Sequence, residues 1–205
     1  LIISQSSESI SLAAGVINRG GVIAFRTDTF YGLGADPFNQ PAVQKIRELK
    51  GREDDKPILV LISDQVQLER LISPKSDAFA SMAERFWPGP LTIIGTAHSE
   101  LPVEITAGSK TVGVRLPDDD KVRSLVRRCG GTLTATSANP SGKPPARTAA
   151  EVQGYFGDRI ELIVDSGAAN TDQPSTVIDV TGTETKLIRE GVIEWSVIKP
   201  LKEDD

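Results

Sequence analysis

A chain of 205 residues with 39% hydrophobic side chains can bury a real core yet is short for two domains, so one compact unit is expected. The single cysteine, Cys129, cannot close an internal disulfide, and with His98 the only histidine a Cys/His zinc site is excluded by count, which suits a reducing compartment. A net charge of -5 argues against broad attachment to nucleic acid and confines any anion site to a local patch. No apolar run reaches the roughly 20 residues that span a bilayer, and the amino terminus lacks a basic segment followed by an apolar one, so a cytoplasmic location without membrane contact is expected.

Ile10, Ala13, Ala14 and Ile17 recur at helical spacing over residues 9–19, and Gly20-Gly21 ends that helix before a strand at 22–25. The strand opens into "RTDTFYGLG" (26–34), which reads either as a polar turn or as small hydroxyls offered to a ligand. A second helix over 41–49 turns Val43, Ile46 and Leu49 inward and leads to a basic loop, Lys50-Gly51-Arg52. The apolar run 58–62 has the length of a strand covered on both faces, and Ser63-Asp64 can cap a helix carrying Val66, Leu68 and Leu71. After a rigid corner at "WPGP" (87–90), "LTIIGTA" (91–97) and "TVGVRLP" (111–117) are strands expected to pair antiparallel. A helix from 118 to about 128, a strand "TLTATSA" (132–138), a helix over 149–156 and strands at 161–167, 175–181 and 186–190 complete an α/β chain with a mixed sheet flanked by helices.

The usual phosphate loops are missing. Gly32-Leu33-Gly34 is only part of a dinucleotide fingerprint, with Pro37 where a third glycine would stand, and no Gly-Lys-Ser/Thr loop occurs. Polar residues gather instead at strand ends: Thr27 to Thr29, Lys50 with Arg52 and Lys56, Thr111 with Arg115, Ser137 with Asn139 and Ser141, Ser175 with Thr176, and Arg189. In an open α/β sheet such ends converge on one crevice. Hydroxyls and amides there bond phosphate oxygens, and an arginine can take a carboxylate or phosphate through two parallel bonds, which suggests a nucleotide together with a small acid.

The segments "TDTFYGLG", "LKGREDDKP", "VGVRLP", "TSANPSGKPP", "PSTVIDV" and "LIREG", in this order and spacing, resemble the YrdC-type threonylcarbamoyl-AMP synthases over about residues 21–191. The resemblance implies a YrdC-like twisted sheet of parallel and antiparallel strands with a large concave cleft, in one catalytic domain spanning 1–205. The chain resembles the short, single-domain form, so the additional carboxy-terminal domain of longer members is not expected. It further implies a nucleotidyltransferase that joins L-threonine, bicarbonate and ATP into threonylcarbamoyl-AMP with release of pyrophosphate. A partner threonylcarbamoyl transferase complex would then use that product in tRNA modification.

Carried over residue by residue, the resemblance places threonine contacts at Thr29, Arg115 and Ser175. Nucleotide contacts fall at Arg52, Lys56, Thr111, Ser137 and Arg189, and the catalytic signature is Lys50, Arg52, Ser137 and Asn139. No covalent nucleophile is required, because a carbamate of threonine can attack the α-phosphate directly under charge stabilisation. Magnesium is expected to arrive with ATP, largely hydrated, and no cofactor is expected to be tightly bound. Lys50 and Arg52 are expected in a polar loop, so that alanine substitution of either costs adenylate formation and leaves the fold intact.

Several residues have a plain structural reading beside the functional one. Tyr31 is either an aromatic packed against the sheet or a ligand contact, and Asp28 either orients a neighbour or fixes the turn. Glu53, Asp54 and Asp55 read as a solvated loop, 118–120 as a helix start, His98 as an exposed loop residue and Cys129 as helix-end packing. Three positions depart from the family pattern: Arg26 replaces a common proline, Leu61 a common histidine near threonine and Pro145 a common serine near ATP. Two rival readings use the same cleft: a module that binds RNA, including tRNA directly, through backbone phosphates, and a carbamoyl-adenylate-forming relative of the hydrogenase-maturation carbamoyltransferases.

Overall fold

The computed structural model describes residues 1–51, 56–169 and 171–199. A short strand the sequence pattern does not announce, β1 (Ile2–Ser4), precedes α1 (Ser7–Asn18). The helix starts at Ser6, whose hydroxyl accepts from the Ser9 amide at 3.1 Å while the Ser6 amide donates to the Ser9 hydroxyl at 2.8 Å, a reciprocal cap. Its buried face carries Ala13, Ala14 and Ile17. β2 (Ile23–Arg26) and β3 (Tyr31–Gly34) then form an antiparallel hairpin with Ile23 opposite Gly34 and Arg26 opposite Tyr31. Gly34 has to lack a side chain, since a Cβ there would stand 2.8 Å from both Leu133 and Phe25. α2 (Gln40–Lys50) follows, capped by the Asn39 side chain and closed by Gly51 in the left-handed region at φ 65°.

The remaining strands are β4 (Val60–Ile62), β5 (Leu91–Thr96), β6 (Thr111–Arg115), β7 (Thr132–Thr134), β8 (Thr136–Ser137), β9 (Leu162–Asp165), β10 (Thr176–Asp179) and β11 (Lys186–Arg189). They build two sheets rather than one: a five-stranded sheet in the order β1-β9-β2-β3-β8 and a six-stranded sheet in the order β11-β10-β5-β6-β4-β7. β5 and β6 pair antiparallel as expected, whereas β10 runs parallel to β5 and β4 parallel to β6. The expected single strand over 132–138 is split. β7 belongs to the six-stranded sheet and β8 to the five-stranded one, and the chain changes sheets at Ala135, whose amide bonds Leu59 O at 2.9 Å.

Between the strands lie α3 (Asp77–Phe86), α4 (Val103–Thr106), α5 (Asp120–Arg128), α6 (Ala149–Phe156) and α7 (Trp195–Ile198). α3 has no counterpart in the sequence reading, although Ser76 caps it through the Phe79 amide and Phe79 and Ala83 face inward. The helix expected after Ser63-Asp64 is a 3₁₀ turn over Gln65–Arg70. Ser63 donates its hydroxyl to Asp64 Oδ2 at 2.7 Å, the Asp64 side chain caps no amide, and Val66 is 65% exposed rather than inward. α5 begins at Asp120, two residues after the expected start, with Asp119 as its cap accepting from the amides of Lys121 and Val122. The corner at 87–90 is structural: Trp87 is buried, donates Nε1–H to Leu91 O at 2.7 Å and meets Phe79 edge-on at 5.8 Å. No helix among the described residues is long and apolar enough to cross a membrane.

Candidate active site

Strand alternation decides what faces the space between the sheets. On β5, Leu91 and Ile93 are buried in the core while Thr92 and Ile94 line a cavity of about 790 Å³; on β6, Val112 and Val114 are buried in the core while Thr111, Gly113 and Arg115 line it. The same wall receives Val177 from β10, Ile188 and Arg189 from β11, and Thr136 and Ser137 from β8, so both sheets contribute. Gly113 keeps the floor low, because a Cβ there would lie 3.1 Å from the Thr92 methyl. A volume of this size lies within the range of small-molecule sites.

The turn between β2 and β3 supplies hydroxyls at one end. Thr27 donates both its amide and its hydroxyl to Phe30 O, at 2.9 and 2.8 Å, and its Oγ1 accepts from the Thr29 amide at 3.1 Å. The turn therefore folds on its own side chain, and Thr27 and Thr29 line the cavity with their hydroxyls 3.1 Å apart. Across from them, Ser175 lies 3.1 Å from the Thr92 hydroxyl and accepts from Arg189, whose Nη2 reaches Ser175 O at 2.8 Å and Ser175 Oγ at 3.2 Å.

Arg115 is 2% exposed, and its Nη1 lies 3.1 Å from Asp28 Oδ1. That contact is close but off-axis, so Nε and Nη1 of Arg115 and both oxygens of Asp28 have no aligned hydrogen-bond partner. Burial pushes the Asp28 carboxyl above the usual carboxylate range, with the Arg115 charge opposing the shift. Burial lowers the Arg115 guanidinium from its usual value, with Asp28 opposing, and a guanidinium keeps its proton through such a shift. Arg189 is also lowered, first by burial and then by the nearby Arg115 charge. Among the described residues, two guanidinium groups and one carboxyl group thus share this end.

The Lys50 expectation needs correction. Lys50 closes α2 instead of projecting from a loop, is 2% exposed, and does not line the cavity. Its Nζ donates to Ser137 O at 2.6 Å, to Ser137 Oγ at 3.3 Å and to Asn139 Oδ1 at 3.3 Å, so it fixes the 137–139 segment from behind. Asn139 turns its Nδ2 onto Pro140 O at 3.0 Å. Lys56 stands exposed on the cavity wall, as do Thr111 and Ser137 in half-buried positions. Arg52, with Glu53, Asp54 and Asp55, lies outside the described residues. Among the described residues, no group of three His, Cys, Asp or Glu could hold a metal ion.

The other candidates make structural contacts, although Tyr31 and Pro145 also line the cavity. Tyr31 is fully buried, donates its hydroxyl to Gly167 O at 2.8 Å, and is pushed up to about 12 mainly by burial. Cys129 is packed at the end of α5 and also pushed up to about 12 by burial. His98 is half-buried rather than exposed, with Nδ1 accepting from the Glu100 amide at 3.3 Å. Arg26 reaches Asp119 at 3.4 Å and ties β2 to the start of α5. Leu61 is buried in the core away from the cavity, whereas Pro145 lines it. Sequence reasoning passed over Thr92, and with it the apolar wall of Pro57, Leu59, Ile94, Val177 and Ile188. The one available signal is a threonine at the alternate position of an otherwise apolar strand.

These features define an α/β protein whose two sheets both contribute to one cavity, with guanidinium and hydroxyl groups at one end and a further polar wall. The family model of the Sua5, YciO and YrdC proteins, described as telomere recombination, matches residues 15–191, and the chain belongs to this family. It is 38% identical over 183 residues to a threonylcarbamoyl-AMP synthase of Marinobacter nauticus, covering 88% of this chain and 96% of that protein. It is 40% identical over 182 residues to the threonylcarbamoyl-AMP synthase of Pyrococcus abyssi, covering 89% of this chain but 54% of that protein, so it spans about half the length of that relative. The structure of Pyrococcus abyssi Sua5 complexed with L-threonine superposes with a TM-score of 0.89 at 38% identity, covering 93% of this chain and 57% of that one.

Proposed function

We propose that this protein is a threonylcarbamoyl-AMP synthase, a nucleotidyltransferase that converts L-threonine, bicarbonate and ATP into threonylcarbamoyl-AMP and pyrophosphate. The observation that carries the reading is Arg115, a guanidinium set in the wall of the same cavity that the hydroxyl residues Thr29 and Ser175 line. A guanidinium so placed suits a carboxylate held by two parallel bonds, and the hydroxyls suit the remaining polar groups of an amino acid. The names of the relatives favour this synthase over an RNA-binding module or a carbamoyl-adenylate-forming enzyme.

The amine of the bound threonine condenses with bicarbonate, losing water, to give a carbamate. One carbamate oxygen then attacks the α-phosphorus of ATP, the phosphoanhydride bond breaks, and pyrophosphate carries away the electron pair. Ser137, Thr111 and Lys56 on the wall, with Arg189 and Arg52, are assigned to the nucleotide, where hydroxyls and cations offset charge that grows on the transferring group. Lys50 serves by holding the 137–139 segment, and Asn139 is part of that same support. Magnesium enters as part of the nucleotide substrate. The product would pass, in the cytoplasm, to a transferase complex acting on tRNA. The test is pyrophosphate release under omission: the full rate requires L-threonine and bicarbonate together with ATP, and an equal rate without threonine would exclude the reading.

A further inference from the structure

Asp28 sits where a ligand residue would, between Thr27 and Thr29, yet it is not part of the cavity wall. Both its carboxylate oxygens are hidden from solvent without an aligned donor, and Arg115 is its ion-pair partner at 3.1 Å. A carboxylate in that state is costly to bury, and the nearby guanidinium is what offsets the cost. The other acidic groups that raise the negative potential here are committed elsewhere: Asp119 to Arg26 at 3.4 Å, and Asp118 to Arg123 at 4.0 Å. Asp28 therefore stands opposite Arg115 without a rival carboxylate.

We infer that Asp28 is a positioning residue, which holds the Arg115 guanidinium in the orientation that meets the carboxylate of the amino-acid substrate. The pair attracts by charge and fixes the head: Nε and Nη1 are hidden from solvent, with Nη1 3.1 Å from Asp28, while Arg115 itself lines the cavity. Charge balance points the same way. Arg115 and Arg189 lie close enough to repel, and Asp28 offsets that repulsion at Arg115. Without Asp28 the two guanidinium groups repel unopposed, and Arg115 turns away from its set orientation toward water.

The inference rests on the proposed placement of the threonine carboxylate at Arg115, so the experiment separates the two. D28A, D28N, R115A and the double variant D28A/R115A are compared by calorimetric titration with L-threonine and with ATP, and by kcat/KM for each substrate. Circular dichroism shows which variants are folded. D28A should weaken threonine binding about 10-fold or more, as expected when a positioned group loses its orientation, with ATP binding changed by less than about 2-fold. D28N should recover part of the loss, since its amide oxygen can still face Nη1 without the charge. In the R115A background, D28A should lower kcat/KM for threonine no further, which a general structural defect would not reproduce. Threonine affinity that is unchanged or tighter in folded D28A and D28N, or an equal additional loss in the R115A background, overturns the inference. Normal threonine affinity in R115A overturns the placement of the carboxylate and the inference with it.

Discussion

Lys50→Met removes an ammonium while keeping the apolar stem that packs in the last turn of α2. The lost contacts include the bond from Nζ to Ser137 O at 2.6 Å and the longer ones to Ser137 Oγ and Asn139 Oδ1. A hydrogen bond from a charged donor contributes about 1.5–3 kcal/mol, and part of it is offset because the ammonium no longer has to be desolvated. Ser137 O keeps the Asn139 amide at 2.9 Å, so it is not orphaned. A net loss of about 1–3 kcal/mol in unfolding free energy is therefore expected, read from urea melts. Freed from its support, the 137–139 segment should lose its set position, and pyrophosphate release should fall roughly 100-fold, the scale of a small misplacement at a reacting centre. Lys56→Met, on the exposed wall, should weaken ATP binding with wild-type stability. If K50M unfolds like the wild type and turns over normally, Lys50 does not hold the cavity wall.

Arg115→Lys should weaken threonine binding by about 1.5–3 kcal/mol, or roughly 10- to 150-fold, because an ammonium cannot offer two parallel donors; calorimetry in which only ATP affinity drops would contradict this. Tyr31 makes stability fall with alkali. Its phenol is pushed from an ordinary 10.0 up to about 12, so the stabilisation it contributes is complete below pH 10 and lost as pH rises through 12. The stability gap between wild type and Tyr31→Phe should accordingly narrow by about 2–3 kcal/mol between those limits in urea melts, and a constant gap would place the hydroxyl in water. Cys129, 5% exposed and pushed up to about 12, should resist alkylation at pH 8 until the protein is unfolded, and rapid labelling of the native state would contradict its burial.

Periodicity made the local elements legible. The antiparallel pair β5 and β6 was readable because two alternating runs are separated by Pro102 and Gly108. The split of 132–138 was not readable. Thr, Leu and Ala satisfy strand alternation throughout, and only the pairing of β7 with β4 and of β8 with β3 shows that the chain changes sheets. The candidate site was legible as residue types and opaque as contacts. Lys50 read as a loop cation because a lysine is seldom fully buried, and the partners that make its burial possible lie 87 and 89 positions away. The link between Asp28 and Arg115 is likewise long-range, so local pattern could suggest that Asp28 orients a neighbour but not which one. Thr92 was hidden inside an apolar strand whose two faces serve different ends, core on one side and cavity on the other.

The central claim is that this cavity joins threonine, bicarbonate and ATP into one adenylate. Incubation of the protein with ATP, ¹³C-bicarbonate and ¹⁵N-L-threonine, followed by mass spectrometry of the nucleotide fraction, tests it most directly. The account predicts an AMP adduct carrying both labels, formed in step with pyrophosphate and absent in a folded Arg115→Ala variant. A labelled carbamoyl-AMP without threonine, or ATP consumption with no doubly labelled adduct, would contradict it.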